Sequence, residues 1–172
     1  MNRAIFLDRD GVINDNSCGY YIFEVDQFVL NEGIIESLKT FADYGFLLII
    51  ISNQSGIARG LFSKTDCELI HRHMKKILSQ QGILITEIYY CPHHPDTGNC
   101  LCRKPGSLLF EKAIARFHID NGQSWMIGDS ERDVTAAEKV GLKTILIKPN
   151  EDIRKYVKSI IKISSNRDSQ ES

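Results

Sequence analysis

Short apolar runs alternate with amphipathic stretches along most of the chain. Ala4-Ile5-Phe6-Leu7 is the first apolar run, of the kind that forms a buried strand. Ile34, Ile35, Leu38, Phe41 and Ala42 then follow helical spacing over residues 33–43, and Gly45 stops that helix. Phe46 to Ile51 is apolar throughout, which predicts a central strand buried on both faces. Ser63, with Asp66 three residues on, caps a helix that runs to about Gln81 and buries Cys67, Ile70, Met74, Ile77 and Leu78. Gly82 ends it. A third strand is predicted over Ile83–Tyr90. A helix over Ser107–Phe117 carries Leu108, Leu109, Ala113, Ile114 and Phe117 on one side. Trp125-Met126-Ile127 reads as a short strand, residues 132–140 as a helix closed by Gly141, and Thr144 to Ile147 as a last strand. Residues 152–163 read as a loosely attached helix, and residues 164–172 as a polar, disordered tail.

This alternation predicts an α/β fold: a three-layer sandwich with a mainly parallel sheet and helices on both faces. The core elements consume nearly all of residues 1–163, so one domain with no separate cap is expected. In such sheets the chemistry gathers at the carboxyl ends of the strands. Composition adds little to this picture. The chain has 172 residues, 42% of them hydrophobic and 25% charged, and a net charge of -1. That balance argues for no nucleic-acid or membrane surface. The longest apolar run is too short to span a bilayer, and the start of the chain lacks a basic-then-apolar signal pattern. A cytoplasmic monomer acting on a small molecule is expected.

The candidate chemistry follows the predicted strands. Asp8 and Asp10 come directly after the first, and Gly11 lets the chain turn just past them. Two carboxylates this close repel unless a cation sits between them, and Mg²⁺ is the hard cation that oxygen ligands suit. A carboxylate can attack phosphorus, and a second one nearby can protonate the leaving oxygen and later activate water. An isolated Asp-x-Asp is more often a solvated strand end. Here further residues appear after the other strands. Ser52 and the Asn53 and Gln54 amides can hold phosphate oxygens, Lys104 can neutralise phosphate charge, and Asp129 can supply another carboxylate. Asp133 reads as a helix-start residue or a partner of those ligands. Five cysteines cannot all pair within one chain, and three of them cluster beside histidines in a loop at 91–105. Cys91, His93, Cys100 and Cys102 form a full tetrahedral set for structural Zn²⁺, with His94 as the alternative to His93. Such a clip would fix Arg103 and Lys104 beside Cys102.

The ordered set Asp8, Asp10, Ser52, Lys104 and Asp129 resembles the haloacid dehalogenase superfamily of phosphotransferases over roughly residues 3–147. The resemblance implies a Rossmann-like core. It implies Asp8 as nucleophile, Asp10 as general acid/base, Ser52 and Lys104 as phosphate holders, and Mg²⁺ held by Asp8, the Asp10 carbonyl and Asp129. Ser52 to Gly60, Gly19-Tyr20 and Cys102-Arg103-Lys104-Pro105, with the zinc-type loop, are similar to the D,D-heptose 1,7-bisphosphate phosphatases. The histidinol-phosphate phosphatases are a slightly less similar group. By position, Asp15, Asn16, Gly19, Tyr20, Asn53, Gln54 and Ser55 would touch substrate, and Arg103 would read its distal part. The expected activity is hydrolysis of a sugar bisphosphate, with histidinol phosphate as the alternative substrate. A zinc-stabilised binding module without catalysis is the reading from another class.

Overall fold

The computed structural model describes residues 1–168. Five parallel strands form one sheet: β1 (Arg3–Leu7), β2 (Phe46–Asn53), β3 (Glu87–Cys91), β4 (Trp125–Gly128) and β5 (Lys143–Leu146), in the order β3-β2-β1-β4-β5. Among the described residues five α-helices connect or follow them: α1 (Ile34–Asp43), α2 (Lys64–Gln80), α3 (Leu108–Phe117), α4 (Glu131–Glu138) and α5 (Arg154–Asp168).

The pleat of β1 explains the three layers. Ile5 and Leu7 point into a core shared with α1, α2 and α5. Ala4 and Phe6 point the other way, where α3 and α4 supply Leu109, Phe110, Ala113, Ala136 and Ala137. Phe110 sits 5.3 Å from Phe6, ring centre to ring centre. The sheet is therefore buried on both faces, as its unbroken apolar strands require. Ser63 caps α2 through a reciprocal pair with Asp66.

Two elements differ from the sequence expectation. Ile83 and Ile85 are buried and Leu84 is exposed, so the alternation is real, but those residues precede the strand. Pairing starts only where the Thr86 amide donates to the Leu48 carbonyl, 2.8 Å, and it continues to Cys91 opposite Asn53. The C-terminal helix is not loosely attached, and the tail does not begin at Ser164. Ile153, Val157 and Ile160 are buried in the α1 side of the core. Ser164 is buried, and its hydroxyl accepts from the Trp125 indole at 3.4 Å, so the helix continues to Asp168. The apolar stripe and that one polar anchor outweigh the hydrophilic composition of the segment. The rest of the expected tail, residues 169–172, lies outside the described residues. No described helix is long and apolar enough to cross a membrane.

Candidate active site

The carboxyl ends of β1, β2 and β4 open into a cleft. Asp8, Asp10, Asn16, Tyr20, Tyr21, Ser52, Asn53, Lys104 and the segment from Asp129 to Asp133 face it, Glu131 excepted. Gly11 makes this approach possible. Its φ is +83°, and a Cβ there would lie 2.2 Å from Asp129 Oδ2.

Lys104 forms the floor and is 2% exposed. Its Nζ lies 3.0 Å from Asp8 Oδ1 and 2.7 Å from Asp133 Oδ1, and it donates to the Ile51 carbonyl at 2.6 Å. Burial works against this ammonium, but Asp8 and Asp133 outweigh it and hold its pKa above the ordinary value. The backbone of Lys104 is clamped to β2. Its amide donates to Asn53 Oδ1 at 3.0 Å, and Asn53 Nδ2 donates to its carbonyl at 3.1 Å. Asp133 has two tasks. One oxygen pairs with Lys104, and the other accepts from the Ser130 amide at 3.1 Å, which caps α4.

Asp8, Asp129 and Asp133 each bring a carboxylate oxygen within 4.8 Å of the others. Burial pushes Asp8 up to about 7, against the pull of Lys104 and with Asp133, Asp10 and Asp129 adding to the rise. Burial and Asp133 likewise push Asp129 up to about 6. One lysine does not neutralise this crowd. A hard divalent cation fits this donor set.

Asp10 stands differently. Its Oδ1 accepts from Arg9 Nε at 3.0 Å and Asn14 Nδ2 at 3.1 Å. Its Oδ2 accepts from a terminal Arg9 nitrogen at 2.8 Å and Gln54 Nε2 at 2.9 Å. Four donors therefore hold the carboxylate. Arg9, between the two aspartates, points into the core and is fully buried, where it also reaches the Ile22 carbonyl, Gln54 and His71. A buried arginine has to be paired, and Asp10 is its pair. Burial, and after it the Arg9 charge, depresses the His71 pKa to about 3.

Of the expected substrate contacts, the fold brings Asn16, Tyr20 and Asn53 to the cleft. It does not bring the other five there. Gln54 is fully buried behind the site and donates to both Asp10 and Ser52. Ser55 is also buried and meets the Tyr21 hydroxyl at 3.1 Å. Asp15 accepts from the Ser17 amide, and neither it nor Gly19 lines the cleft. Arg103 turns to the His93 carbonyl, 3.4 Å away, and is absent from the lining. Sequence reasoning missed Arg9, Tyr21, Ser130 and Arg132. Period-two geometry carried a signal for Arg9, because the residue between two cleft-facing aspartates has to point inward.

The cysteine loop closes beside Lys104. Cys91 Sγ lies 3.6 Å from Cys100 Sγ and 3.1 Å from Cys102 Sγ. His93 Nδ1 lies 3.5 Å from Cys91 Sγ and 3.3 Å from Cys102 Sγ. A tetrahedral zinc with Zn–S bonds of about 2.3 Å separates its sulfurs by about 3.8 Å, so this set needs only slight expansion. Burial pushes the Cys91 thiol up, which a metal would reverse by taking the thiolate. His94 is turned away: its Nδ1 accepts from the Asp96 amide at 3.2 Å.

A parallel α/β sheet that presents a carboxylate, a buried lysine and an acidic cluster at its strand ends defines a class of phosphate-processing hydrolases. Comparison with known proteins agrees. The HAD-hydrolase-like family model matches residues 101–161. A D-glycero-beta-D-manno-heptose-1,7-bisphosphate 7-phosphatase of Haemophilus ducreyi is 41% identical over 148 residues, 83% of this chain and 80% of that protein. A D-glycero-alpha-D-manno-heptose-1,7-bisphosphate 7-phosphatase of Photorhabdus laumondii is 36% identical over 146 residues, 81% of this chain and 79% of that protein. The crystal structure of D,D-heptose 1,7-bisphosphate phosphatase from B. bronchiseptica, complexed with magnesium and phosphate, superposes with a TM-score of 0.80 and 29% identity, covering 99% of each chain. The chain belongs to the haloacid dehalogenase superfamily and, within it, to the family of the heptose bisphosphate phosphatases; it is a phosphoric monoester hydrolase.

Proposed function

We propose that the protein is a Mg²⁺-dependent D-glycero-D-manno-heptose 1,7-bisphosphate 7-phosphatase working through an aspartyl-phosphate. The observation that carries this reading is the pairing of Asp8 with Lys104 on the floor of an open cleft, in a chain 41% identical to a relative of that name. Asp8 Oδ1 is taken by Lys104 and by the Arg9 amide at 2.8 Å, and Oδ2 remains for phosphorus. In the first step an Asp8–phosphorus bond forms, the bond from phosphorus to the sugar oxygen breaks, and Asp10 gives that oxygen its proton. In the second, Asp10 takes a proton from water, the water oxygen bonds to phosphorus, and the Asp8–phosphorus bond breaks. Asp10 has to exchange one of its four present donors for the leaving oxygen. Lys104 and the Ser52 hydroxyl, both lining the cleft, orient the phosphate, since positioning and charge neutralisation dominate this chemistry. Mg²⁺, when bound by Asp8, Asp129 and the Asp10 carbonyl, supplies further neutralisation of phosphate charge. Zn²⁺, when bound by Cys91, His93, Cys100 and Cys102, braces the loop from which Lys104 emerges.

The active form is proposed to be a cytoplasmic monomer. The test is steady-state hydrolysis of both anomers of the heptose bisphosphate and of histidinol phosphate, with and without Mg²⁺. The expected result is Mg²⁺-dependent release of one phosphate per bisphosphate, with kcat/KM well above that for histidinol phosphate. The reverse preference would refute the assignment.

A further inference from the structure

Two cations face the cleft, Lys104 and Arg132. Lys104 is occupied by two carboxylates and a carbonyl. Arg132 forms no ion pair among the described residues. It stands in the first turn of α4, whose cap is Ser130. A cation there opposes the positive end of the helix dipole, whereas its neighbours Glu131 and Asp133 are of the favoured sign. A local rule broken on a cleft wall points to a use for the charge.

The surroundings hold that charge in place. Arg132 Nε donates to Ser130 Oγ at 3.0 Å and the guanidinium also hydrogen-bonds Tyr20, which together orient it and leave part of its five donors for a ligand. Tyr20 lies against it, and burial is outweighed there by Tyr20, Asp133 and Asp8, so its pKa stays above the ordinary value. The Tyr20 ring is edge-on to Tyr21 at 4.8 Å, and Tyr21 is tied to Ser55. The result is a braced wall carrying one available guanidinium beside the Lys104 floor. Arg103, by contrast, does not line the cleft; one of its terminal nitrogens donates to the His93 carbonyl at 3.4 Å.

We propose that Arg132 is the specificity-determining residue that grips the second, non-transferred phosphate of the substrate. The inference rests on the bisphosphate reading above and names the group that recognises it. A guanidinium suits this task because its planar fork meets phosphate oxygens in pairs.

The experiment compares a sugar bisphosphate with the same sugar carrying only the transferred phosphate. Wild type, Arg132→Ala, Arg132→Lys and Arg103→Ala are each assayed on both. Wild type is expected to prefer the bisphosphate. Arg132→Ala is expected to lower kcat/KM for the bisphosphate by roughly tenfold to hundredfold, chiefly through KM, and so to erase the preference. Arg132→Lys should recover part of it; a preference that Arg103→Ala erases and Arg132→Ala spares overturns the inference. If Arg132→Ala destabilises the fold, Arg132→Gln serves in its place, with melting temperature measured in parallel. A bisphosphate-to-monophosphate ratio unchanged by the loss of Arg132, or an equal loss on both substrates, overturns the inference and leaves the bisphosphate reading standing. A wild-type enzyme with no preference for the bisphosphate removes the reading itself, and the inference with it.

Discussion

Replacing Gly11 by alanine separates the two things this glycine does. Its φ of +83° costs an L residue about 1–2 kcal/mol, which lowers the melting temperature by about 2–8 °C in a protein of this size. The second effect is contact. The new Cβ would stand 2.2 Å from Asp129 Oδ2 and 3.0 Å from Asn16 Nδ2. Ordinary contact begins near 3.4 Å, so the Asp129 carboxylate has to retreat by about 1.2 Å, and a displacement of that size at a reacting centre costs about a hundredfold in rate. Gly45 is the control. Its φ is +79° and nothing lies within 4 Å of a Cβ there, at the amino end of β2, away from the cleft. Gly45→Ala should therefore lose similar stability and keep its activity. The assay is phosphate release at saturating Mg²⁺, with thermal unfolding of both variants. Gly11→Ala within about threefold of wild-type kcat, or Gly45→Ala equally impaired, would refute the argument that Asp129 needs the space above Gly11.

Three further outcomes are expected. Asp8→Asn keeps the shape of the side chain and should show no multiple-turnover phosphate release; sustained turnover above background would sink the covalent route. Purified protein should carry about one zinc per chain, and Cys100→Ser should lower metal content and melting temperature together; elemental analysis showing no zinc in protein never exposed to chelator would contradict this. His71 has a folded pKa of about 3 against an unfolded value near 6.5, so the unfolded chain binds the extra proton and stability falls as pH drops through that window. His71→Gln should flatten the pH dependence of the melting temperature between those limits and leave it unchanged above pH 6.5; a slope equal to wild type would show that His71 does not titrate on unfolding.

Much of this protein is determined locally and is therefore legible in its sequence. The period of the apolar positions distinguishes β1 and β2 from α1 and α2, because a strand and a helix bury side chains at different spacings. Each candidate residue from Asp8 to Asp129 follows an apolar run, and a parallel sheet places such positions on one edge whatever the details of packing. The zinc set is equally local, since Cys91 ends β3 and His93, Cys100 and Cys102 lie in the segment that follows it. The tertiary structure decided what depends on pairs distant in the chain. Ser164 looked like the start of a tail until Trp125 supplied its partner from 39 residues away. Gln54 and Arg103 had the right chemistry for a substrate, but Gln54 is buried behind the site and Arg103 lies outside the cleft lining. Arg132 carries no signal in its own neighbourhood beyond an unfavourable place on a helix. It becomes a candidate ligand for phosphate only because the fold sets α4 beside Tyr20 and the floor made by Lys104. Burial and electrostatic pairing are properties of the assembled surface, and no spacing along the chain encodes them.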